Sequence, residues 1–352
     1  MAPVFATDAA RAKVVRDAFR EQARWCERLE SPFTARLCAV LAEILDAHSE
    51  PGARILGWNG DPRRDALALR LCGGLNALAR SGQAPELAAL YPPAPLPDEN
   101  ALAKGLGHVL HVHADALAPW LDGAPQTNEV GRSAALMSGL LVLADRFRLP
   151  MRLFELGASA GRNLQLDRYA HDLGGTLAGR VDSRLRLRPD WDGRPPPDAP
   201  VQIAGRSGVD LNPVDPVADG DRLLAYVWPD QPQRLAQLEV ALDIASRDPP
   251  RVERGDAADW IETQLAIEPE EGVCRVVLHT IAFQYFPAEA QERVKARLRQ
   301  AGAKATEAAP LAWLRLEMLP ADDKISLRLR TWPGDGRLLA WSHPHASWIN
   351  WL

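Results

Sequence analysis

A serine between two spaced glycines, Gly157-Ala158-Ser159-Ala160-Gly161, follows the run Met151-Arg-Leu-Phe-Glu155-Leu156. Two chemistries fit these residues. As G-x-S-x-G, the pentapeptide places Ser159 on the strained strand-to-helix turn that exposes a hydrolase nucleophile. As E-x-G-x-x-x-G, it is a strand ending in a glycine loop, where missing Cβ atoms let backbone lie against a bound cofactor. A nucleophilic serine needs a histidine base and an acid; the chain offers Asp256 with His279, or Asp322 with His343 or His345. A hydrolase also places several strands before its nucleophile, whereas everything upstream of Met151 reads as helix, and no His-Gly-Gly segment precedes Ser159. Glu155 would be a buried charge without a task in a hydrolase. In a cofactor site it orients the loop or meets a cationic ligand. Chain order therefore favours the cradle, with the hydrolase as its rival.

Other residues carry weaker signals. His279 ends an apolar run, where α/β proteins place ligand-facing groups, and as a neutral imidazole it could accept a proton; packing at the strand end is the equal alternative. Tyr285 follows in the next loop, as a substrate contact or a packing residue. His108, His111 and Asp115 fall at i, i+3 and i+7 on one face of the expected helix Glu99 to Leu121, so a metal site is conceivable, but a fourth ligand is lacking and no metal is expected. In Gln126-Thr-Asn128-Glu-Val-Gly-Arg132, Thr127 or Asn128 is expected to cap a helix, or Asn128 and Arg132 to fold over the cofactor. In Trp228-Pro-Asp230-Gln231, Asp230 can cap the following helix and Trp228 can wall the substrate pocket.

The elements that must position these residues fall into two regions. Residues 1–126 carry helical spacing at Asp8 to Leu29, Ser31 to about Ala47, Arg63 to Arg80 and Glu99 to Leu121, with only Arg54 to Trp58 faintly strand-like. A further helix, Asn128 to Phe147, leads into the second region, 127–352. There, strand-like runs at Arg152 to Leu156, Val201 to Leu211, Arg275 to His279, Ala312 to Met318, Ile325 to Thr331 and Leu338 to Ser342 alternate with helical stretches. Those stretches are Asn163 to Ala170, Pro232 to Ser246, Ala257 to Leu265 and Ala288 to Gln300. This alternation predicts an α/β fold with a mostly parallel sheet, and the short links between the last three runs predict an antiparallel edge. Residues 171–200, rich in Gly, Pro and Arg, read as an insertion.

Composition narrows the classes. With 47% hydrophobic and 25% charged residues in 352, the chain can bury a core. A net charge of −5 gives no electrostatic case for nucleic-acid binding, although a local basic patch is compatible with it. Cys26, Cys38, Cys72 and Cys274 have no C-x-x-C or zinc spacing, so buried reduced thiols are expected. The N-terminus turns polar too soon for a signal-peptide core and no apolar run approaches a membrane span, so no membrane partner and a cytoplasmic location are expected.

Phe154-Glu-Leu-Gly-Ala-Ser-Ala-Gly-Arg-Asn163 resembles the first motif of class I S-adenosylmethionine-dependent methyltransferases. The resemblance implies a Rossmann-like sheet in which Glu155, Gly157, Ala158, Ser159, Gly161 and Asn163 meet the methionine part of the cofactor. Gly208-Val-Asp210 is similar to that family's ribose-binding segment, Arg254-Gly-Asp256 to its adenine-side loop, and Val276 to Phe286 to its fourth strand and substrate loop. The implied activity is O- or N-methyl transfer to a small molecule or protein side chain, with His279 and Tyr285 as catalytic candidates and the helical region as lid. A fold that kept the cofactor site without the chemistry is a third reading. Two departures stand out. Gly157 and Asp210 lie much further apart than the roughly 20 residues usual between a Rossmann glycine loop and its ribose acid, so the insertion must be real or Asp182 must take that role. The helix between the family's fifth and sixth strands is also missing. Over nearly its full length the chain further resembles a bacterial family of uncharacterised proteins, the domain-of-unknown-function 2332 family.

Overall fold

The computed structural model describes residues 8–318 and 324–352; Asp322 lies outside the described residues. The chain divides into two compact units. One comprises the residues up to Thr127 with Gly220–Ala236, the other Asn128–Asp219 with Gln237–Leu352.

The first unit is helical. Helix Ala9–Arg28 starts where the Asp8 carboxylate accepts the Ala10 N–H, and buries Val15, Ala18, Phe19, Ala23 and Cys26 on one face. Two expectations need correction here. Arg54 to Trp58 forms no strand: Ser49 accepts from Gly52 N and Pro51 fits the first turn, so Glu50–Leu56 is a short helix burying Ile55 and Leu56. Glu99 to Leu121 breaks at His113 into Glu99–Val112 and Ala114–Asp122, so His108 and His111 stand on one helix and Asp115 on the next. Among the described residues no group of three or more His, Cys, Asp or Glu side chains could hold a metal ion.

The segment 220–236 is tied into this unit by Asn76, whose Nδ2 donates to Ala225 O and Val227 O at 2.9 and 3.0 Å. Gly73 makes room for Tyr226; a Cβ there would stand 2.4 Å from its ring. Asp230 does not cap the helix that follows it. Its carboxylate instead accepts from the Ser31 hydroxyl and from Phe33 N at 2.8 Å, capping helix Pro32–Ile44, whose own Ser31 makes no side-chain cap.

Among its described residues the second unit carries twelve strands: β1 (Met151–Leu156), β2 (Ala170–Leu173), β3 (Thr176–Gly179), β4 (Arg186–Leu187), β5 (Asp190–Asp192), β6 (Ile203–Asp210), β7 (Val252–Arg254), β8 (Cys274–Thr280), β9 (Leu311–Met318), β10 (Ile325–Trp332), β11 (Gly336–Ser342) and β12 (Trp348–Trp351). Nine of them form one sheet in the order β5-β12-β11-β10-β9-β8-β1-β6-β7. From β7 to β9 every pairing is parallel, while β10, β11 and β12 add antiparallel neighbours and β5 closes the edge parallel to β12. Strand order reverses between β1 and β8, which makes their C-terminal ends the topological switch point where open α/β sheets hold ligands. The two sheet faces are covered separately. Helix Arg132–Phe147 sends Gly139 against Leu314 on one face, while Ala257–Ala266 and Ala288–Gly302 bury Phe154, Leu156, Val277 and Trp313 on the other.

The stretch expected to be an insertion carries strands of its own. The expected helix Asn163 to Ala170 is a 3-10 turn, Asn163–Arg168, followed by the small sheet β3-β2-β4 and the edge strand β5. Asp210 thereby ends the strand that pairs directly with β1, while Asp182 lies exposed, paired with Arg180 at 2.8 Å. Among the described residues no helix is long and apolar enough to cross a membrane.

Candidate functional site

The glycine loop hangs from the end of β6. Gly157 N and Ala158 N both donate to Val209 O, at 2.9 and 3.0 Å, and Ser159 N donates to Asp210 Oδ2 at 2.9 Å. Asp210 Oδ1 accepts from Asn212 N at 2.8 Å. Gly157, Ser159 and Gly161 all adopt positive φ (70°, 51° and 67°), a conformation that disfavours side chains. Where a Cβ would stand, however, both glycines face protein. At Gly157 it would lie 2.6 Å from Ala282 Cβ, and at Gly161 2.6 Å from Pro250 Cγ. On that side the glycines permit tight packing of the loop rather than approach by a cofactor.

Beneath the loop runs a chain of buried polar groups. Ser133 Oγ donates to Asn163 Oδ1 at 3.0 Å, and Asn163 Nδ2 donates to Glu155 Oε1 at 3.0 Å and Thr280 Oγ1 at 3.3 Å. Glu155 is 1% exposed, and among the described residues neither its Oε2 nor the buried Ser159 Oγ has a hydrogen-bond partner. Burial pushes the Glu155 carboxyl up to about 8 against the opposing Asn163 hydrogen bond, so the group is mostly protonated at neutral pH. Asn128 does not cap a helix: the next one starts at Arg132, with Gly131 at its N-cap. Its side chain clasps the loop instead, donating to Ala158 O at 3.2 Å and accepting from Arg162 N at 3.0 Å. Arg132 links strand ends by donating to Thr280 O at 3.3 Å and Pro344 O at 2.9 Å.

His279 has a structural role here. It is 0% exposed; Trp313 Nε1 donates to its Nε2 at 3.0 Å, which places the ring proton on Nδ1, facing Glu317 Oε1 at 2.6 Å. With both nitrogens engaged and Phe283 stacked at 4.8 Å, the imidazole has no lone pair for a substrate proton. The base role read from the sequence is withdrawn for that reason. Glu317, 3% exposed, also accepts from Ala282 N and Phe283 N at 3.0 and 3.1 Å, so His279 and Glu317 together position the loop after β8. That loop begins at Ile281, a β-branched residue held at φ 46°, a strained conformation of the kind that concentrates at functional sites. Tyr285 follows, 60% exposed.

The remaining candidates are more scattered. Asp256 caps helix Ala257–Ala266, its Oδ1 accepting from Ala258 N and Asp259 N at 2.8 and 3.1 Å. Trp228 belongs to the helical unit, with Arg234 over its ring at 5.8 Å. Sequence reasoning missed Ser133, Arg162, Thr280 and Glu317. Arg162, 0% exposed, donates to the Ala160 and Ala241 carbonyls and was signalled only by its place after Gly161. Glu317 had one signal, a lone acid in the run Leu314-Arg-Leu-Glu-Met318.

Fold and site together define an α/β protein with a buried polar centre at the switch point of a largely parallel sheet. The chain belongs to a family described as an uncharacterized protein conserved in bacteria (DUF2332), whose model matches residues 16–351. No curated protein and no solved structure matches it.

Proposed function

We propose that the strand-end site binds S-adenosylmethionine and that the protein is a methyltransferase acting on a small molecule or a protein side chain. One juxtaposition carries this reading. An acid at the end of β6, Asp210, reaches the glycine loop at the end of β1, next to the switch point. The residues present fit such a cofactor on two counts. Each Asp210 oxygen accepts one backbone N–H and retains a lone pair with which a carboxylate can accept ribose hydroxyls. Glu155 Oε2 and Ser159 Oγ are buried polar atoms without partners among the described residues, the kind of group a polar ligand would satisfy.

Bound there, S-adenosylmethionine would supply an electrophilic methyl group. Glu155, Gly157, Ala158, Ser159, Gly161, Asn163 and Asp210 would hold it, with Asp256 on the adenine side. The loop positioned by His279 and Glu317 would present Tyr285 to the acceptor. The serine hydrolase is less well supported: among the described residues Ser159 Oγ has no hydrogen-bond partner, and His279 is committed to Trp313 and Glu317. Ultraviolet cross-linking of methyl-tritiated S-adenosylmethionine tests the proposal. Labelling that excess S-adenosylhomocysteine suppresses is expected; no labelling of folded protein would count against it. Labelling without transfer to a broad acceptor panel would favour a non-catalytic binder.

A further inference from the structure

On the sheet face shared with helix Ala288–Gly302, strands β9, β10 and β11 carry a group of basic side chains. Beyond that helix the face of β9, β10 and β11 stays open, and a groove of about 470 Å³ runs along it. Among the described residues its charged lining is Lys295, Arg299, Arg315, Arg328, Arg330 and Arg337, without a carboxylate. An uncovered sheet face is ordinarily polar, and arginine stems can shield apolar strands by themselves. Three observations exceed that explanation. Arg315 and Arg328 are directly opposed across the β9–β10 ladder, where like charges destabilise a sheet. Among the described residues the half-buried Arg315 guanidinium has no hydrogen-bond acceptor and no carboxylate partner; it lies over the Trp313 ring at 4.2 Å. Arg330 likewise lies over Trp332 at 5.2 Å, its one carboxylate contact being the fully exposed Asp335 at 4.0 Å. Burial, and after it the neighbouring Arg328, lower the Arg315 pKa against the opposing pull of the Glu317 carboxylate.

We infer that this groove is a binding site for a phosphorylated small molecule with an apolar or aromatic body. The anion would sit between Arg315 and Arg328, where planar guanidinium groups can bind phosphate oxygens in pairs. The body would rest on Trp332 and Leu338. Trp313 connects the groove to the strand-end site, because its indole N–H is the donor to His279. The inference stands independently of what the strand-end site binds.

Calorimetric titration of the full chain with phenyl phosphate and with inorganic pyrophosphate, at about 0.15 M salt, tests it. Saturable binding is expected for both, weakened at least about tenfold by Arg315→Gln. If that variant does not fold, the exposed substitutions Arg299→Gln and Arg337→Gln should each still weaken binding. Absence of binding to folded protein would overturn the inference, as would affinities untouched by these substitutions. Retention on anionic phospholipid vesicles or on a single-stranded oligonucleotide, with no response to the soluble phosphates, would overturn the small-molecule assignment.

Discussion

Glu155→Gln isolates the energetic consequence of a buried carboxyl. An ordinary glutamate titrates near 4.5, and burial raises this one to about 8. Between those values the unfolded chain has released the proton and the folded chain retains it, so stability falls as pH rises. For one group with these values, the loss between pH 5 and pH 8 amounts to about 3–4 kcal/mol. Glutamine keeps the oxygen that accepts from Asn163 Nδ2 but cannot ionise. Any fixed cost of its extra N–H donors is the same at both pH values. Urea unfolding of wild type and variant at pH 5 and pH 8 reads the difference directly, because the other titrating groups cancel. The variant should gain about 3–4 kcal/mol on wild type from the lower to the higher pH. A difference that stays constant, or changes in the opposite direction, would refute the assignment of Glu155 as a neutral buried acid.

Three further expectations concern separate parts of the chain. Gly161→Ala places a methyl 2.6 Å from Pro250 Cγ and 3.0 Å from Val252 Cγ2 at φ 67°, and should cost about 2–4 kcal/mol in denaturant unfolding. Asp230→Ala removes the acceptor for Phe33 N and the Ser31 hydroxyl, and should lower stability by about 1–2 kcal/mol, read as a fall in melting temperature. A fluorophosphonate probe should leave Ser159 unlabelled, as judged by intact mass; Ser159-dependent labelling would restore the hydrolase reading.

The strands of the main sheet were legible where apolar residues run together or alternate with polar ones over several positions. Arg275 to His279, Ala312 to Met318 and Ile325 to Thr331 fall within β8, β9 and β10 with boundaries a residue or so apart. Short strands such as Val252–Arg254 and the β3-β2-β4 sheet carry too few residues for a period to show. Asn163 to Ala170 read as helix, yet Asn163–Arg168 is a 3-10 turn that buries Asn163 and Gln165 as well as Leu164 and Leu166. At the site, the glycine loop and Asp210 were recognisable from local motifs. The partners that define His279 were not: Trp313 and Glu317 lie on the neighbouring strand, and only the β8–β9 pairing brings them to the imidazole. Asn128 was misread for the same reason, since its partners Ala158 and Arg162 are distant in sequence.

The central claim, cofactor binding at the switch point, is tested most directly by calorimetric titration of the full chain with S-adenosylmethionine and S-adenosylhomocysteine. The account predicts one saturable site for each ligand, weakened at least about tenfold when Asp210→Ala removes the acid beside the loop. No heat with either ligand in demonstrably folded protein, or affinities that Asp210→Ala leaves unchanged, would contradict it.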